Sequence, residues 1–104
     1  MENEKVLKKA LEGDLAAFQA LFVGFQSELR SYLYRLLANR SDAEDLTHDA
    51  FIQAFDKLHT FRGEATLKTW VFRIATHLAS NYLQRRRRWT ADVSEQAKNL
   101  VLNN

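Results

Sequence analysis

Cysteine and proline are both absent from this chain, and among its 104 residues glycine occurs only at positions 13, 24 and 63. Lacking cysteine, the chain can build no disulfide, no thiolate zinc site and no cysteine nucleophile. That composition agrees with a reducing compartment. With few backbone breakers and many Leu, Ala, Glu, Lys and Arg, long helices are favoured throughout. No apolar run approaches the about 20 residues of a membrane span, so no membrane insertion is expected, and the polar start Met1–Lys5 is not a signal peptide. Catalytic signatures are missing too: there is no glycine-rich phosphate loop, no metalloprotease His-Glu pattern and no usable Ser/His/Asp order. Three scattered histidines make no site. The expectation is a binding protein, not an enzyme, with no cofactor and no metal.

A further absence is the most informative. From Ala65 to Ala91 there is no acidic residue, while Lys68, Arg73 and Arg85-Arg86-Arg87-Arg88 fall inside that stretch. Residues 1–58 hold seven Lys/Arg against ten Asp/Glu, residues 59–91 seven against one, and residues 92–104 one against two. The net charge of +2 therefore conceals a strongly dipolar chain. Trp70, Phe72, Tyr82 and Trp89 are interleaved with the cations. Cations with aromatic rings can hold a phosphate backbone and stack on unpaired bases.

The periodicity predicts an all-α fold, a compact bundle of three to four helices. The length fits one domain, and the hydrophobic share of 46% fits a folded core. Val6, Leu7, Ala10 and Leu11 form a short amphipathic start that Gly13 can close, with Asp14 as the next N-cap. Phe18, Leu21, Phe22, Phe25, Leu29, Leu33 and Leu36 recur at spacings of three and four, predicting one long helix over about 15–38 with Gly24 on its polar side. Ser41-Asp42-Ala43-Glu44 reads as a capping box opening a third helix over about 42–58. Leu46, Ala50, Phe51, Ala54, Phe55 and Leu58 would cover its buried side. Residues 59–66 read as a loop. A fourth helix starts near Thr66, with Leu67, Val71, Ile74, Ala75, Leu78 and Tyr82 on one face, and runs into the arginines. Residues 92–104 read as a short extra helix or the start of a linker.

Two surfaces stand out. On the third helix Asp45, Asp49 and Asp56 fall within about 40° of one another, with Ile52 among them and His48 at the edge. Most such stripes are solvated polar faces; an isoleucine ringed by carboxylates resembles instead the centre of a contact patch. On the fourth helix Arg73, His77, Ser80 and Gln84 share a face bordered by Trp70, Asn81 and Arg88. The segment Phe61-Arg62-Gly63-Glu64-Ala65-Thr66 precedes it at the helix N-terminus, where free N–H groups favour anions. Singly, each residue has a structural explanation: Trp70 and Phe72 as core, Phe61 as a plug, terminal arginines as dipole partners. Together they point to nucleic acid.

Residues 42–55, Asp42-Ala43-Glu44-Asp45-Leu46-Thr47-His48-Asp49-Ala50-Phe51-Ile52-Gln53-Ala54-Phe55, resemble the segment of bacterial sigma factors that docks on RNA polymerase. Phe61-Arg62-Gly63, Thr69-Trp70-Val71-Phe72-Arg73-Ile74-Ala75 and Asn81-Tyr82-Leu83 with the arginines resemble the promoter-reading part of the same domain. The similarity is to the extracytoplasmic-function (ECF) group of the sigma-70 family and runs from about Leu11 to Arg88. It implies that residues 1–91 form a region 2-like domain of a bacterial transcription initiation factor acting in the cytoplasm. Asp45, His48 and Asp49 would meet the clamp helices of the largest subunit of core RNA polymerase, on the face that Ile52 and Asp56 complete. Residues Phe61, Arg62, Gly63, Glu64, Ala65 and Thr66 would receive a base flipped from the non-template strand of the promoter minus-ten element. Lys68, Trp70, Arg73, His77 and Asn81 would contact that strand or the melting junction, and Arg85, Arg86, Arg87 and Arg88 the upstream phosphates. Members commonly carry Asn at the His77 position and often Gln at that of His48, so these two bear on base preference and docking. An anti-sigma factor is an implied partner. The helix-turn-helix domain that reads the minus-thirty-five element is expected to be absent, nothing after Arg88 being long enough to form it. Two other readings remain open from the residues: a duplex binder with the fourth helix in the major groove, and a protein-interaction module with no nucleic-acid role.

Overall fold

The computed structural model describes residues 2–102, with side chains described over 4–97. Five α-helices follow in order: α1 Glu2–Leu11, α2 Leu15–Val23, α3 Gln26–Leu37, α4 Arg40–Asp56 and α5 Leu67–Leu102. No strand occurs among the described residues, so the all-α expectation holds. A single 3₁₀ turn, Leu58–Thr60, follows α4.

The first turn forms as its residues dictate. Gly13 adopts φ +101°, a left-handed conformation that a β-carbon disfavours. The chain then reverses, with Asp14 N–H donating to the Lys9 carbonyl at 3.1 Å. Asp14 caps α2 by accepting from Ala17 N–H at 3.2 Å.

The long second helix predicted over 15–38 is two helices. Gly24 N–H bonds to Leu21 O and Phe25 N–H to Phe22 O, i to i−3 bonds that tighten and end α2. Phe25 leaves helical geometry at φ −130°, ψ 8°, and its ring packs on Phe22 at 5.3 Å. The break lets α2 follow α1 while α3 runs between α4 and α5. Leu29, Leu33 and Leu37 are buried, whereas Leu36, expected in the stripe, is 41% exposed.

Helix α4 begins two residues earlier than its predicted capping box. Ala38 takes the left-handed conformation (φ 54°), Asn39 is extended, and the Asn39 side chain accepts from Asp42 N–H at 2.9 Å. Ser41 and Glu44 therefore lie inside the helix, past the position from which a side chain caps the first turn. Asn39→Ala is expected to destabilise the domain by about 1 kcal/mol, read as a lowered urea midpoint at constant slope. Ser41→Ala is expected to leave it unchanged within error.

Phe18, Leu29, Leu33 and Val71 are the largest fully buried side chains, one or more from each of α2, α3 and α5. Phe18 sits against Phe22, Phe51 and Phe55 at 6.3, 5.4 and 5.5 Å. α5 buries Leu67, Val71, Ala75 and Ala79 in the bundle. Beyond Leu83 every residue through Ala97 is exposed, yet the helix continues to Leu102 without a break. Residues 92–102 thus continue α5 and do not form a separate helix. Val93 is exposed, so the continuation is local: there is no glycine or proline after Gly63 to stop it. A domain of this length would have a radius of gyration of about 13 Å if compact; the observed 18.4 Å reflects the projecting α5.

Candidate nucleic-acid and docking surfaces

The third-helix stripe lies on the outer side of α4. Asp45, His48, Asp49 and Asp56 are exposed, and Ile52 among them is 53% exposed. Ala43, Ala50 and Ala54 occupy the opposite side in the core. Among the described residues, none of these carboxylates takes part in an ion pair. A groove beside this face, between α4 and the α2–α3 corner, is lined by His48 and Phe51 with Val23 and Arg30. Val23, 61% exposed, was not singled out in the sequence, because it lies outside the stripe of an unbroken helix.

The second surface lies on α5 and the loop before it. Thr66 caps α5, its hydroxyl accepting from Thr69 N–H at 3.1 Å. Arg62, Gly63, Glu64 and Thr66 are exposed and Ala65 is half-buried. Gly63 has φ +74° with open space where a β-carbon would stand. What demands glycine there is backbone conformation, not crowding. Phe61 folds back onto α5, its ring edge-on to Trp70 at 5.4 Å and 63°. Both rings are half-buried, so Trp70 is braced on one side and open on the other.

From Trp70 the exposed row continues along α5 through Arg73, His77, Ser80, Asn81 and Gln84. A shallow groove follows it, lined by Thr69, Phe72, Arg73, Thr76, His77 and Ser80. Thr69 and Thr76 were missed by sequence reasoning, though their i, i+7 spacing about Arg73 places them on that face. Thr76 is fixed there by two bonds, donating to the Phe72 carbonyl and pairing with the Tyr32 hydroxyl of α3 at 2.6 Å.

Lys68 stands apart from the row. Its ammonium pairs with Glu28 of α3 and lies 5.9 Å from the Phe72 ring centre, on the α3 side of the helix. Arg85, Arg86, Arg87 and Arg88 are exposed where α5 leaves the bundle. At that junction Tyr82 donates to the Asp42 carboxylate at 2.5 Å. This hydrogen bond, then burial, then the carboxylate's charge hold the Tyr82 phenol above its usual pKa of 10.0, against a smaller opposing pull from Arg86.

Among the described residues no helix is long and apolar enough to cross a membrane. Residues 21–89 match the family profile Sigma-70 region 2. The ECF RNA polymerase sigma-E factor of Escherichia coli is 35% identical over 95 residues, covering 89% of this chain and 49% of that protein. The sigma-E factor of Haemophilus influenzae is 33% identical, covering 95% and 53% respectively. The RNA polymerase sigma-H factor of Pseudomonas aeruginosa is 31% identical, covering 88% and 47%. The chain thus spans about half the length of these relatives. A solved structure of an engineered region 2 of sigmaE in complex with GTAAAA superposes with a TM-score of 0.74 at 31% identity, covering 85% of this chain and 92% of that one.

Proposed function

The chain belongs to the sigma-70 family, as a region 2 domain of the ECF type, and from that premise we propose that it docks on core RNA polymerase through α4 and holds the melted minus-ten element on α5. The observation that carries this reading is the separation of two free charged surfaces on one small bundle. The carboxylates of α4 face outward around Ile52, suited to the polymerase clamp helices. The Trp70–Gln84 row and the 61–66 loop face outward on α5, with Arg85, Arg86, Arg87 and Arg88 beyond them. The related sigmaE region 2 was solved with the hexanucleotide GTAAAA, which agrees with a strand lying along the matching helix.

The chemistry required is selective binding, since no energy-yielding reaction is available. A protein shifts duplex toward open DNA only by binding the open form better. Extruding a base costs a few kcal/mol, while stacking returns about 1–3 kcal/mol per base and phosphate contacts add a salt-dependent share. These sums nearly cancel. The isolated domain therefore holds a strand that is already single and leaves duplex closed, and polymerase supplies the register that makes opening productive. Its place of action is the bacterial cytoplasm. An anti-sigma factor covering either surface would silence it.

Fluorescence anisotropy with a single-stranded minus-ten-like oligonucleotide and its duplex tests this. The single strand is expected to bind more tightly, and Trp70→Ala to weaken it by about tenfold, one stacked base. Equal or tighter binding of the duplex would favour major-groove docking of α5 instead.

A further inference from the structure

Arg73 and His77 lie where α5 packs on the bundle and the arginines at residues 85–88 where it projects, so the direction in which the projecting part leaves the packed part decides whether one strand can reach both. We propose that Asp42 and Tyr82 are a positioning pair that sets this direction, an inference resting on the reading of α5 as the strand-holding helix. Tyr82 is in the last layer of α5 that touches the bundle, since every residue from Gln84 through Ala97 is exposed. Its hydroxyl donates to Asp42, which lies in the first turn of α4, a segment itself fixed by the Asn39 cap. Asp42 and Tyr82 are both half-buried, so the bond is partly shielded from competing water. Nearly two turns lower, the Tyr32–Thr76 hydroxyl pair ties the same helix to α3. α5 is thus pinned to two neighbours by two tyrosine hydroxyls, and Asp42–Tyr82 is the outermost pin.

Arg86 follows Tyr82 by one turn and so lies on the Tyr82 side of α5, with Arg85 beside it and Arg87 and Arg88 further round the helix. All four arginines are exposed just beyond the junction, so the direction set there carries them together.

The absence of cysteine allows a direct test in the whole chain. Spin labels placed at Ser31→Cys on α3 and Ser94→Cys on α5, both exposed, report the orientation of the outer helix by electron–electron dipolar distances. The parent should give one narrow distance. Tyr82→Phe and Asp42→Ala should broaden it, and Asp42→Asn, which keeps an acceptor oxygen, should restore the narrow form. Anisotropy with a six-nucleotide strand and with the same strand extended upstream gives the functional readout. Tyr82→Phe should weaken the extended strand by about fivefold, the loss of roughly one phosphate contact, and change the short one less than about twofold. An unchanged distance distribution in Tyr82→Phe overturns the pair. A broadened distribution with no strand bound by the parent protein would retain the pair and overturn the strand-holding reading instead.

Discussion

Substituting lysine for both Asp45 and Asp49 is expected to lower affinity for core RNA polymerase by about a hundredfold or more, with folding and oligonucleotide binding intact. Like charges brought together at an interface cost several kcal/mol, and about 3 kcal/mol is already more than a hundredfold in affinity. Both side chains are exposed in the interior of α4, and lysine is a good helix former. Stability should therefore change by no more than about 0.5 kcal/mol. Ile52→Ser offers a contrast at the centre of the same face. Its effect should be smaller and insensitive to salt, because it removes apolar burial, whereas part of the lysine effect should fade as ionic strength rises. A competition assay in which labelled parent domain occupies the polymerase measures all three. Parental affinity in the double lysine variant would remove the acidic face from docking and favour the groove around Val23 and Arg30.

Both charged surfaces were legible in the sequence because charge and helical period are local properties. A carboxylate at every third or fourth position marks a face whatever the helix packs against, and the acid-free stretch from Ala65 to Ala91 needs no tertiary information. What escaped is what tertiary packing decides. The apolar period runs straight through Gly24, so nothing in it announces that Phe25 turns inward and splits the helix. Asn39 and Ser41 are comparably good caps; the left-handed turn at Ala38 selects the first. Lys68 counts as one more cation in a linear reading, yet Glu28, forty residues earlier and on another helix, takes it up. Asp42 and Tyr82 are also forty residues apart, and no periodicity links them. The helix after Arg88 is the reverse case. Its apolar repeat is weak, and uninterrupted local propensity extends it where packing offers nothing.

Phe18→Ala is expected to destabilise the domain by about 3–5 kcal/mol, the range for emptying a buried aromatic site. Phe18 is fully buried and meets Phe22, Phe51 and Phe55, so the void would open at the point where α2 crosses α4. Small domains have only about 5–15 kcal/mol of stability. Residues 84–97 are all exposed and add nothing to the buried core. Each kcal/mol moves the midpoint of a domain this size by about 4–8 °C, so a fall of roughly 12–40 °C should appear in thermal circular dichroism. Leu36→Ala, on the same stretch of predicted apolar stripe but 41% exposed, should cost less than about 1 kcal/mol. The pair of variants tests which face of α3 packs inward, because the predicted stripe included Leu36 and the structure buries Leu37 in its place. Comparable losses at both positions would put Leu36 back in the core. A large loss at Phe18 alone means that the aromatic cluster holds α4 in place, and with it the carboxylate face proposed to dock on the polymerase.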